Sequence, residues 1–200
     1  MFSHIALAHE IWKAHIHPGD SAIDATCGRG RDSLVLAKLA LSQGKGALFC
    51  FDIQEEAIEA TKVLLSRDLD TNQMEKVYLI HGSHAELAKK IQKESIHLVV
   101  YNLGYLPRGN KSFTTMVNTT LESVDQALSL LKPQGMLSIT CYPGHEEGLL
   151  EERALEAWLK TLSTKQFSIN QYKRSDRHHA PSLIIVRKAD LLRDSAITMM

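Results

Sequence analysis

What most constrains this chain is the regular exchange of short apolar runs with segments of helical periodicity. Ser21 to Ala25, Ala47 to Phe51, Val77 to His81, Ile96 to Asn102 and Met136 to Tyr142 are brief and mostly apolar, as strands covered on both faces of a parallel sheet must be. Helical segments fill the intervals: Arg31 to Ser42, Glu55 to Asp68, Ala85 to Gln92 and Thr115 to Leu131. The last of these sets Val117, Leu121, Val124, Leu128 and Leu131 on one face. A further helix precedes the first strand, with Ile5, Ala8 and Trp12 at helical spacing and a stop at His17-Pro18-Gly19. Strand–helix–strand units of this kind close as right-handed crossovers.

The pattern changes near the end. After a helix around Leu150 to Leu162, the strand-like runs Phe167 to Tyr172 and Leu183 to Val186 are separated by ten residues, too few for a helical crossover. These two runs should pair antiparallel. The expectation is an α/β fold of five parallel strands plus a closing hairpin, one domain over residues 1–188, with 189–200 as a tail. A length of 200 residues at 44% hydrophobic content suits one such domain.

Lys plus Arg equals Asp plus Glu at 23 each, so no basic excess announces a nucleic-acid partner and any RNA contact must come from a local patch. Cys27, Cys50 and Cys141 lie in apolar or loop contexts that suit reduced thiols. Met1 to Trp12 carries His9 and Glu10 and no basic region, so it does not read as a signal peptide, and no stretch reaches membrane-span length. The expected location is the cytoplasm. His9-Glu10 lacks a second histidine at position 13, which is Lys13, and no Cys-x-x-Cys occurs, so no metal site is expected.

The first strand ends in Asp24 and runs into Ala25-Thr-Cys-Gly-Arg-Gly-Arg-Asp32 before a helix begins. Gly28 and Gly30 let a ligand approach the backbone at an open strand end. Asp52 closes the second strand, twenty-two residues after Gly30, where a carboxylate can accept both ribose hydroxyls of an adenosine. A dinucleotide site wants a third glycine where this chain has Ser33, and Asp24 would repel a pyrophosphate while suiting the cationic amino group of a methionine moiety. S-adenosylmethionine is therefore the expected ligand. Its candidate contacts are Asp24, Thr26, Gly28, Arg29, Gly30 and Asp32 on the first turn, and Asp52, Ile53 and Gln54 on the second. The third strand adds Ser83 and His84, with Ser83 reading equally as a helix N-cap, and the fourth adds Asn102.

The fourth strand opens into Asn102-Leu-Gly-Tyr-Leu-Pro107. Methyl transfer from a sulfonium is an in-line displacement, so an amine acceptor must be neutral and aim its lone pair at the methyl carbon. The Asn102 side-chain oxygen and the Leu103 carbonyl can accept its N–H bonds, beside Gly104, and Tyr105 can wall a planar base. The plainer alternative is a turn followed by a core tyrosine.

The motifs Asp24 to Asp32, Phe51-Asp-Ile-Gln54, Asn102 to Pro107 and Tyr142-Pro-Gly-His145 together resemble a small family labelled ribosomal RNA methylases. Its characterised members methylate the aminomethyl group of 5-aminomethyl-2-thiouridine at the tRNA wobble position. Asn102-Leu-Gly-Tyr105 is also similar to the Asn-Pro-Pro-Tyr signature of amino-methyltransferases, and where the family commonly has Asn and His this chain has Arg29 and Arg31. The resemblance covers Ile5 to Lys188. It implies a class I methyltransferase sheet of order 3-2-1-4-5-7-6, S-adenosylhomocysteine as product, a tRNA anticodon stem-loop as partner, and leaves a homodimer open.

An aminomethyl nitrogen has a pKa near ~10, so it must lose a proton before it reacts. His145 is the candidate base, with Tyr105 or Tyr142 as relay, although His145 reads equally as a plain loop histidine. RNA contact would fall to Arg108, Lys111, Lys173, Arg174, Arg177, His178 and His179, which read otherwise as solvated charge. Within the class, ribosomal RNA or a small-molecule amine is the alternative acceptor. A non-catalytic cofactor-binding regulator would have no need of Asn102, Tyr105 and His145 together.

Overall fold

In β4 (Ile96–Asn102), alternate side chains point to opposite faces, so Val99 and Tyr101 enter one apolar cluster while Leu98 and Val100 enter another. The computed structural model describes residues 3–41, 45–104, 116–173 and 180–190. The same division runs along β1 (Ser21–Asp24), β2 (Ala47–Asp52) and β5 (Leu131–Cys141), where Ile23, Phe51 and Ile139 face one way and Ala22, Cys50 and Met136 the other. One face is covered by α1 (His4–His15), α2 (Arg31–Ala40) and α3 (Glu55–Asp68), through Trp12, Leu36 and Leu65. The opposite face is covered by α5 (Leu87–Lys90), α6 (Val117–Leu130) and α7 (Glu146–Leu159), through Leu87, Val124 and Leu155. Burial on both faces is why the strands read as apolar runs rather than as alternating ones.

The strands lie in the order β3-β2-β1-β4-β5-β7-β6, with β3 at Val77–His81, β6 at Phe167–Lys173 and β7 at Ser182–Lys188. β1 to β5 are parallel, and β7 runs antiparallel to both β5 and β6. Both the parallel core and the closing hairpin are as expected, in the implied order.

Several boundaries differ from expectation. α6 stops at Leu130 and β5 starts at once, five residues earlier than the expected Met136. Leu131 pairs with Ile96, after which the register slips before Leu98 meets Met136. The irregularity falls at Lys132-Pro-Gln-Gly135, where Gln134 has φ 66° and a Cβ on Gly135 would lie 2.8 Å from the Lys132 carbonyl. The helix expected over Ala85 to Gln92 is a 3-10 turn, His84–Glu86, followed by the single turn of α5. α4 (Thr71–Met74) was not expected; Asp70 and Gln73 form a reciprocal capping box around it.

Candidate active site

The carboxyl ends of β1, β2 and β4 are tied together by the turn that follows β1. Thr26 accepts the Asn102 N–H on its hydroxyl at 2.7 Å, Cys27 donates to the Phe51 carbonyl at 2.9 Å, and Gly28 donates to Asp52 Oδ2 at 2.9 Å. Gln54 N–H takes the other oxygen, Asp52 Oδ1, at 2.9 Å. A carboxylate offers about four acceptor positions, so the two backbone bonds orient Asp52 and leave capacity for a diol. Gly28 and Gly30 both lie in the left-handed region, at φ 54° and 76°. Gly30 is also required by packing, since a Cβ there would sit 2.9 Å from Thr61 Cα. The crowding at that position thus comes from α3. Beside Asp52, Ile53 holds an apolar side chain 58% exposed, a surface suited to a flat aromatic ring.

Asp24 is only 1% exposed, with Oδ2 accepting the Ser33 hydroxyl at 2.6 Å and Oδ1 the Thr26 N–H at 3.3 Å. Burial raises its pKa to about 7, and the neighbouring charges of Asp32 and Asp52 push the same way. Asp52 is also raised, again chiefly by burial. Asp24 therefore stands behind the turn, and it would act on a bound cation through its field rather than by the direct contact expected. Three carboxylates around one glycine turn make a site that favours positive charge and disfavours a pyrophosphate.

At the end of the third strand, Ser83 does cap: its hydroxyl accepts the Ala85 N–H at 3.1 Å. His84 is held neutral by burial, its pKa lowered to about 4, and its Nδ1 has no hydrogen-bond partner among the described residues. Its ring meets Tyr101 edge-on at 5.9 Å.

Across the turn, Asn102 Nδ2 donates to Asp32 Oδ2 at 3.1 Å, and His9 Nε2 lies 2.8 Å from Asp32 Oδ1. Tyr142, just past β5, neighbours the Asn102 side chain. Burial first, then the charge of Asp32, push the Tyr142 phenol up to about 12. Its hydroxyl also lies 3.2 Å from His4 Nε2, and the two rings meet edge-on at 5.3 Å. Two polar groups, His9–Asp32–Asn102 and Tyr142–His4, thus lie side by side at the mouth of the cofactor turn.

A family model described as "Putative rRNA methylase" matches residues 48–188. The chain belongs to this family. A chloroplast protein of Arabidopsis thaliana described as a tRNA (mnm(5)s(2)U34)-methyltransferase is 34% identical over 188 residues, 92% of this chain and 69% of that protein. A solved structure from Clostridium thermocellum, described in the same words as the family, superposes with a TM-score of 0.88 at 31% identity, over 94% of this chain and 98% of that one. A methyltransferase-like structure from Streptococcus mutans, in complex with SAH, does so with a TM-score of 0.81 at 28% identity, over 94% and 99%. Fold and family together make this chain an S-adenosylmethionine-dependent methyltransferase of class I.

Not every expected residue of the methylase has its expected place. His145 is the N-cap of α7: Nδ1 accepts the Gly148 N–H at 3.1 Å. The same Nδ1 lies 3.2 Å from Glu147 Oε2, so the structure shows His145 tied into the first turn of α7 as a capping residue. Lys173 does not present a loose cation to RNA, because Nζ donates to buried Glu152 at 2.8 Å and Glu152 also accepts the Ser182 hydroxyl at 2.5 Å. The Leu103 side chain is in the core while its N–H donates to the Thr140 carbonyl at 2.9 Å. Gly104, at φ 134°, faces the Tyr142 ring. Arg29 and Arg31 are exposed. Tyr105, Arg108, Lys111, Arg174, Arg177, His178 and His179 lie outside the described residues. Among the described residues no cluster could hold a metal ion, and no helix is long and apolar enough to cross a membrane. His4 and His9 were missed as site residues; the visible signal was two histidines within the apolar pattern of a helix that precedes the cofactor turn.

Proposed function

We propose that this methylase converts the aminomethyl group of a wobble 5-aminomethyl-(2-thio)uridine in tRNA to methylaminomethyl. The observation that carries the reading is the Asn102 amide, whose Nδ2 is held by Asp32. A carboxylate only accepts, so the amide nitrogen must face Asp32 and the oxygen faces away from it. An acceptor oxygen at the end of a central parallel strand suits an amine, whose N–H it can hold while the lone pair points elsewhere. The relative from Arabidopsis thaliana, described as acting on that wobble base, supports the substrate.

The three carboxylates fit the charge of S-adenosylmethionine, and Asp52 with Ile53 fit its ribose and adenine. The donor supplies an electrophilic methyl on a sulfonium, transferred as the C–N bond forms and the C–S electrons pass to sulfur, leaving S-adenosylhomocysteine. The chain's own task is to orient the amine and to take its proton. Asn102 Oδ1 accepts one N–H. The Tyr142 hydroxyl can receive the ammonium proton while passing its own to His4, which burial keeps neutral and which adjoins solvent. The tRNA partner would meet the enzyme through its anticodon stem-loop, with Arg108, Lys111, Arg174 and Arg177 as phosphate ligands.

Incubation with labelled donor tests the reading. Label should enter tRNA that already carries the aminomethyl group and should not enter unmodified transcript. Equal labelling of both, or transfer only to ribosomal RNA, refutes the substrate.

A further inference from the structure

Resting on that reading of the site, we propose that α1 is part of the methyl-transfer machinery and that His9 is a positioning residue, fixing which edge of the Asn102 amide meets the acceptor amine. The two edges of an amide have nearly the same shape, so packing alone does not choose between them. Turned over, Asn102 would present a donor where the amine needs an acceptor. The backbone is set by β4 and by the Asn102 N–H on Thr26, but the side chain takes its orientation from Asp32 Oδ2 at 3.1 Å. Asp32 has its own torsion to fix, and His9 fixes it by holding Oδ1 at 2.8 Å. Because the carboxylate cannot donate, Nε2 of His9 carries the proton of that bond.

His9 is itself well placed to be rigid. Its ring packs on Trp12 at 4.9 Å, and the buried Trp12 indole donates to Ser138 Oγ on β5 at 2.9 Å. The row from β5 through Trp12, His9 and Asp32 to Asn102 thus returns to the sheet on the neighbouring strand, β4, anchored at both ends. His9 and Asp32 are only 29% and 15% exposed, so water competes weakly for these bonds. Removing the imidazole would let Asp32 rotate and Asn102 follow, and small errors of aim at a reacting atom cost up to about a hundredfold in rate.

The test is a set of variants measured by single-turnover methyl transfer and by S-adenosylhomocysteine binding. His9→Leu should slow transfer by about 10- to 100-fold and leave S-adenosylhomocysteine affinity within about threefold. His9→Gln, whose amide nitrogen reaches the place of Nε2, should recover most of the rate. In an Asn102→Ala background His9→Leu should have almost no further effect, because the residue it acts through is gone. An equal factor in both backgrounds, or a His9→Leu rate matching wild type, overturns the proposal. The side-chain amide resonance of Asn102, identified by its absence from Asn102→Ala, should move in His9→Leu and return in His9→Gln. An unmoved resonance also overturns it, and that measurement needs no acceptor. If wild type fails to methylate aminomethyl tRNA, it is the substrate reading that falls, while the resonance still decides the role of His9.

Discussion

Asp24 should couple donor affinity to pH. It is fully buried, and its pKa of about 7 means that near neutrality the ligand-free protein holds it half protonated. Only the ionised form attracts the donor's ammonium, so affinity should fall as pH drops below 7. The amino group of S-adenosylhomocysteine, beside its own carboxylate, stays protonated through this range, so the acid limb belongs to Asp24. The ionised fraction of a carboxyl with a pKa of about 7 falls from about half at pH 7 to about a tenth at pH 6, so affinity should drop about fivefold between them. Binding of S-adenosylhomocysteine, which keeps the amino group, should show this acid limb in calorimetry. Methylthioadenosine, which lacks it, should give a flat profile. Asp24→Asn should abolish the acid limb and with it the roughly half a proton released on binding at pH 7. An acid limb that persists in Asp24→Asn, or binding heats independent of the buffer's ionisation enthalpy, would refute the assignment. The same acid affects stability with a definite sign. A folded pKa raised from 3.8 to about 7 contributes stability that is fully present below the unfolded value and is lost as pH rises through the folded one. Ligand-free Asp24→Asn should therefore gain stability over wild type at pH 8, with a ceiling on the order of 4 kcal/mol, and show little gain near pH 4.

Asp52→Ala should weaken S-adenosylhomocysteine binding by about a hundredfold or more, since both its oxygens orient the turn and the ribose site together; tight binding of NAD to wild type would overturn the donor assignment. His145→Ala should cost about 1 kcal/mol of stability through the lost cap, with His145→Asn restoring it and the pH–rate profile unchanged in both. A shifted profile in His145→Ala would return the residue to the chemistry.

The parts of this molecule legible from sequence are those whose role is decided by the strand they terminate. Asp24, Asp52 and Asn102 each follow an apolar run, and strand ends in a doubly wound sheet lie together whatever the loops do. The hairpin was legible for a similarly simple reason, the shortness of its connection. The junction of α6 and β5 was not, because Leu131 satisfies both the helical stripe and the strand run, and only its pairing with Ile96 decides between them. His145 carried a local capping signal as well: Glu146 and Glu147 follow it directly, and acids in a first helical turn mark the preceding residue as a cap. His9 carried only the weaker signal of a histidine within an apolar helical pattern. Its partner lies 23 residues away across the cofactor turn, and its meaning depends on α1 folding back beside α2. A histidine tested against metal spacing alone has been tested against its neighbours in sequence, whereas the neighbour that gives His9 its function is one that only the packed sheet provides.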